Sequence, residues 1–154
     1  MNNFHAIELA IDLATRQRDA LARKHEQAFR NLQRGLQQLG QLESYAGDTD
    51  ARWGQNDAGI SVEMLRHHYQ FRDRLQHAVN LQQGNIGALK AQQQSAQQLL
   101  MQAEARLSGL KQVLASRMRV LEKQVQRRDQ REMDEFAAQR ARLRANENRV
   151  GEMQ

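Results

Sequence analysis

"YAGDTDARWGQNDAGIS", residues 45–61, decides how the rest of the chain is read. Gly47, Gly54 and Gly59 interleave there with Asp48, Asp50, Asn56 and Asp57. Glycine admits positive φ and short Asx side chains bond nearby backbone, so such a cluster favours a turn over a helix or strand. The chain is therefore expected to reverse over 47–60. Ser61 is placed to cap the helix that follows, with Glu63 in its first turn, where a carboxylate complements the helix dipole.

On either side of this break the apolar residues repeat with a helical period. Upstream, steps of three and four run through Phe4, Ile7, Ile11, Ala14, Arg18, Leu21, His25, Ala28, Leu32, Gly35, Leu39, Leu42 and Ala46. That is a heptad seam, which keeps one stripe of a helix facing a partner. Arg18, His25 and Gly35 weaken it and read as register-setting defects. Downstream, the rhythm returns through Leu89, Gln93, Ala96, Leu100, Ala103, Leu107, Leu110, Leu114, Arg117 and Leu121, with Met118 and Val125 on the same face. Neither stripe can be buried within its own helix, so the two are expected to pair as an antiparallel hairpin.

The expected fold is thus all-α: a long antiparallel two-helix coiled-coil hairpin, one domain over 1–154. Helix one covers about 3–46 and helix two about 61–150. At the helical rise these span roughly 65 Å and 135 Å, so helix two overhangs at its C-terminal end. Gly84 and Gly87 mark a place where it could kink or turn. A continuous helix is the preferred reading, because two interior glycines cost about 1 kcal/mol each, little against a long seam. The glutamine-dense "KAQQQSAQQLLMQAE", residues 90–104, keeps the period and reads as a solvated helical face.

Composition agrees. Proline and cysteine are absent, 5% of residues are aromatic and 27% are charged, a poor recipe for a compact globular core and a good one for long helices. Without cysteine there is no disulfide framework and no thiolate metal site, which suits a reducing compartment. The N-terminal "MNNFHAIELAIDLATRQRD" has no basic stretch before an apolar run, so it reads as neither a signal peptide nor a membrane span. The formal net charge is +5, most of it C-terminal. Nucleic acid, anionic lipid and acidic proteins all answer to such a surface.

The search for chemistry excludes more than it finds. His67 and His68 are adjacent, His77 lies apart, and no pair has the four-residue spacing of a helical metal site. No phosphate-binding loop, dinucleotide glycine pattern or nucleophile elbow is present, and a two-helix rod offers no water-poor cleft. Neither an enzyme, a cofactor nor a metal is expected. Two surfaces remain. In "RRDQREMDEFAAQRARLR", residues 127–144, Met133 and Phe136 sit amid Arg127, Arg128, Arg131, Asp134 and Glu135. The carboxylates argue against nucleic acid, and Arg128–Glu132 and Arg131–Glu135 are spaced for exposed pairs. Phe71, Leu75 and Ala78 form a second stripe, suited equally to packing on Leu39 and Leu42 or to docking a partner.

Two segments resemble the FliJ family of the bacterial flagellar type III export apparatus. "QREMDEFAAQRA", residues 130–141, is similar to that family's C-terminal segment of Lys or Arg, Met-Asp-Glu-Phe, then Ala and Gln. "AGIS" at 58–61, followed by "YQFRDRLQHAV" at 69–79, is similar to a second segment. The resemblance implies an antiparallel coiled coil like the central stalk of rotary ATPases, held at the centre of the hexameric export ATPase around Arg127, Arg128, Arg131, Met133, Asp134, Glu135 and Phe136. It implies contact with the membrane-anchored export gate through Phe71, Leu75, Ala78 and Gln82, the last standing where the family has His. Export chaperones are further implied partners, and the implied location is cytoplasmic, peripheral at the inner membrane. Alternatives are the equivalent stalk of a virulence injectisome, a basic coiled-coil nucleic-acid binder, and a scaffold homodimer paired through the overhanging seam.

Overall fold

The structure is a computed structural model and describes residues 4–55 and 59–153. Two helices account for nearly all of them: α1, His5–Gln55, and α2, Val62–Glu152. Among the described residues there is no strand. The contacts fall into two units: residues 12–107, and residues up to 11 together with 108 onward. Both units draw on both helices, so contacts group by position along the paired helices and not by chain segment.

Within residues 12–107 the helices run antiparallel in one register. His25 meets Gln93, Gly35 meets Gln82, Tyr45 meets Phe71 and Trp53 meets His68. In each case the two residue numbers add to about 120, the mark of an unbroken antiparallel pairing without a slip. All the α1 seam positions in this unit named from the sequence are buried or half-buried, as are the α2 positions from Leu89 to Leu107. Ala14, Leu32, Val79, Ile86 and Leu107 form the most deeply buried apolar line, each larger side chain contributing roughly 1.5–3 kcal/mol by leaving water.

The polar seam positions are resolved in detail. Gln93 Nε2 and His25 Nε2 are 3.1 Å apart across the hairpin, a bond made when that imidazole nitrogen carries no proton. Arg18 is half-buried and reaches Asp19 at 2.8 Å. Gly35 is a point of close approach: a Cβ built there would lie 2.9 Å from Leu89 Cδ1. Its carbonyl accepts a bond of 2.9 Å from Gln82 Nε2, which also reaches Gln38 Oε1 at 3.2 Å. A missing side chain lets the partner glutamine reach α1 backbone.

The break in the chain is shorter than the turn expected over 47–60. α1 continues through Gly47 and Gly54 to Gln55, and Asn56 and Asp57 lie outside the described residues. The reason is tertiary. Ala46, Thr49 and Trp53 extend the seam in steps of three and four and are half-buried. Trp53 stacks on His68 with ring centroids 4.0 Å apart, and Asp50 lies 3.5 Å from Arg72. These contacts outweigh the roughly 1 kcal/mol per glycine that disfavours helix. Gly59, with φ of 99°, takes the left-handed conformation of the turn. Ser61 Oγ accepts the Met64 amide at 3.2 Å, so the expected cap is formed. α2 is helical without a break through Gly84 and Gly87.

In the second unit the half-buried residues are Phe4 just before α1, Ile7, Ala10 and Ile11 on α1, and Gly109, Leu110 and Leu114 on α2. From Ala115 to Met153 every residue is exposed. The expectation that the seam runs on through Arg117, Met118, Leu121 and Val125 is therefore corrected: these carry the spacing but are exposed, with no described residue covering them.

Candidate functional site

The exposed part of α2 carries the first candidate surface. Met133 is 70% exposed and Phe136 is 61% exposed, three residues apart and so on one helical face. Asp129, Glu132, Ala137 and Arg140 stand three or four residues from one or both of the pair and line a shallow groove of about 570 Å³ with them. The Arg140 guanidinium lies over the Phe136 ring, 5.6 Å from its centroid, a cation–π placement that holds both side chains against the helix. The result is an apolar pair bordered by two carboxylates and a guanidinium, suited to a partner with a matching apolar knob and mixed charge.

The sequence-derived set is only partly brought together. Met133 and Phe136 share the groove, whereas Arg127, Arg128, Arg131, Asp134 and Glu135 are exposed outside its lining. Asp134 accepts a bond from Gln130 Nε2 at 3.3 Å. Arg128–Glu132 and Arg131–Glu135 do not close to ion-pair distance. Exposed helical pairs of this kind contribute a few tenths of a kcal/mol, too little to hold two long side chains in one geometry. Asp129, Glu132, Ala137 and Arg140 are the groove residues outside the sequence-derived set; counting four residues from Met133 or Phe136 finds them.

The second candidate surface lies near the bend. Phe71 packs edge-on against Tyr45 of α1, with centroids 5.9 Å apart and planes at 80°. Leu75 and Ala78 are half-buried. The Gln82 amide is engaged with Gly35 and Gln38. Of this stripe, Phe71 presents most surface, joined by the exposed Met64, Leu65 and Tyr69. His68 is 9% exposed, and its Nδ1 has no hydrogen-bond partner. Among the described residues, no three of His, Asp and Glu converge where a metal ion could sit.

The family profile described as the flagellar FliJ protein matches residues 4–146, nearly the whole chain. The chain belongs to the flagellar FliJ family. It is accordingly a component of the flagellar protein export apparatus. Neither a curated protein nor a solved structure matches it. Both candidate surfaces, residues 71–82 and 127–140, fall inside the FliJ match. No described helix of this FliJ-family chain is long and apolar enough to cross a membrane.

Proposed function

We propose that this FliJ-family chain is a non-enzymatic stalk that inserts the exposed end of α2 into the hexameric export ATPase and links that ring to the export gate and to export chaperones at the cytoplasmic face of the inner membrane. One observation carries the reading: Met133 and Phe136 stand bare on a stretch of helix that no described residue covers, bordered by Asp129, Glu132 and Arg140. A partially desolvated apolar pair within a charged rim suits a contact that is specific and still reversible. The bend surface around Phe71 is the corresponding candidate for the gate, its area reduced by the Tyr45 contact and by the inward engagement of Gln82.

Mixing the full chain with its export ATPase at low salt tests this reading. Co-elution and a change in ATP hydrolysis are expected, and Met133→Asp and Phe136→Asp should each weaken co-elution by about tenfold or more, as for a buried anchor. Unchanged hydrolysis with no co-elution of the unaltered chain sinks the proposal.

A further inference from the structure

A paired hairpin has two flanks beside its seam, and within residues 12–107 the charges are sorted between them. One flank holds the Tyr45–Phe71 contact and a groove of about 400 Å³, lined by the half-buried Leu21 and Ala96 and by the exposed Lys24, Ala91, Ser95 and Leu99. Heptad positions keep to one flank along each helix. Over 12–45 and 71–107, the positions of this flank carry Lys24, Arg34, Arg74 and Arg106 and no carboxylate. The opposite flank carries Asp12, Asp19, Glu26, Glu43, Asp73 and Glu104 against the single cation Lys90.

The flanks also differ in how far their charges are answered. Asp19 and Glu26 are held by Arg18 at 2.8 Å and by Arg30 at 2.7 Å. Lys24, Arg34, Arg74 and Arg106 are all exposed and reach no described carboxylate. In the observed antiparallel register they follow one another in the order Arg106, Lys24, Arg34, Arg74, about ten to twelve residues apart, or roughly 15–18 Å at the helical rise. Eleven residues is close to three turns, so a straight helix laid along this flank turns the same face to every cation.

We propose that this flank docks an acidic amphipathic helix of a partner protein, with its apolar stripe in the groove beside Leu21 and Leu99 and its carboxylates against Lys24, Arg34, Arg74 and Arg106. The sign of the charge selects the occupant, and Ala91 and Ser95, four residues apart, let a third helix approach closely. Nucleic acid presents phosphates far more densely than these widely spaced cations and has no use for an apolar groove. A second copy would have to offer its acidic flank, where two of the six carboxylates are already engaged, and such a heterologous contact leaves an open chain. Met133 and Phe136 take no part, so docking at the ATPase ring stands or falls separately.

The test uses the full chain and a labelled synthetic helix of about 21 residues, three heptads, with leucine at its seam positions and glutamate on either side. Fluorescence anisotropy should show saturable binding that weakens as salt rises from about 0.05 M to about 0.5 M. A matched helix with lysine in place of glutamate should bind about tenfold more weakly or not at all. Leu99→Asp should weaken the acidic helix about tenfold, and Lys24→Glu about threefold while improving the lysine helix. Phe29→Gln, exposed on the opposite flank, should stay within about twofold. Circular dichroism checks that each variant keeps its helices, as expected for exposed positions. Absence of saturable binding overturns the proposal, as does equal binding of the two helices or indifference to Leu99→Asp and Lys24→Glu. A Lys24-dependent affinity for duplex DNA, for phosphatidylcholine–phosphatidylglycerol vesicles or for the chain itself in sedimentation, with the acidic helix unbound, gives the flank to that occupant and overturns it too.

Discussion

Residues 12–107 and residues 115–153 share a helix-forming composition and carry apolar residues at the same spacing, yet in the first stretch the stripe is covered and in the second it is bare. Periodicity is therefore a statement about the face a helix presents, and the presence of a partner is a separate fact, read here from burial. The covered stretch also holds polar residues that are satisfied across the seam, His25 with Gln93 and Gly35 with Gln82. In the bare stretch the polar contacts are local, Gln130 with Asp134 and Arg140 with Phe136. Cross-helix bonds set register; contacts four residues apart only decorate a surface.

The widest gap between the two stretches should appear in amide hydrogen exchange at low protein concentration. Amides of 115–152 are expected to exchange about a hundredfold or more faster than those near Leu32, Ile86 and Leu107, since helix without tertiary packing opens at small free-energy cost. Equal protection in dilute solution would mean that the end is covered. Next in size, Leu107→Ala removes a side chain that is 4% exposed and should destabilise the hairpin by about 2–4 kcal/mol, whereas Leu121→Ala, exposed on the same helix, should stay within about 0.5 kcal/mol; chemical denaturation compares them. The smallest effects separate the glycines. Gly35→Val crowds Leu89 and should cost about 1–3 kcal/mol, while Gly84→Ala, whose new methyl meets nothing within 4 Å, should stabilise by about 0.5–1 kcal/mol through helix propensity.

The pairing of two helices was legible because a seam repeated over forty residues has one physical reading, and the named seam positions from Phe4 to Ala46 are all at least half-buried. The bend is shorter than its glycines and aspartates suggest because their preference is local and the contacts that override it are tertiary. Thr49 and Trp53 already continued the spacing, and the stacked Trp53–His68 pair holds the last turns of α1 in place. The end of the covered seam was missed for the opposite reason: Met118, Leu121 and Val125 keep the rhythm, and rhythm does not tell where the other helix stops. Gln82 pointing to Gly35 carried no local signal at all, since it depends on a register that only pairing establishes. At the candidate site, Met133 and Phe136 were evident as an apolar pair, but their neighbours Asp129, Glu132 and Arg140 follow from helical geometry and not from adjacency in the chain.

The stacking of Trp53 on His68 has a practical corollary. It is the sole indole in the chain, so intrinsic fluorescence watches one locality, the closed tip of the hairpin. A melting curve followed by emission will register the separation of that tip and stay silent about fraying at the far terminus, which makes light and circular dichroism two clocks timing different events in one molecule.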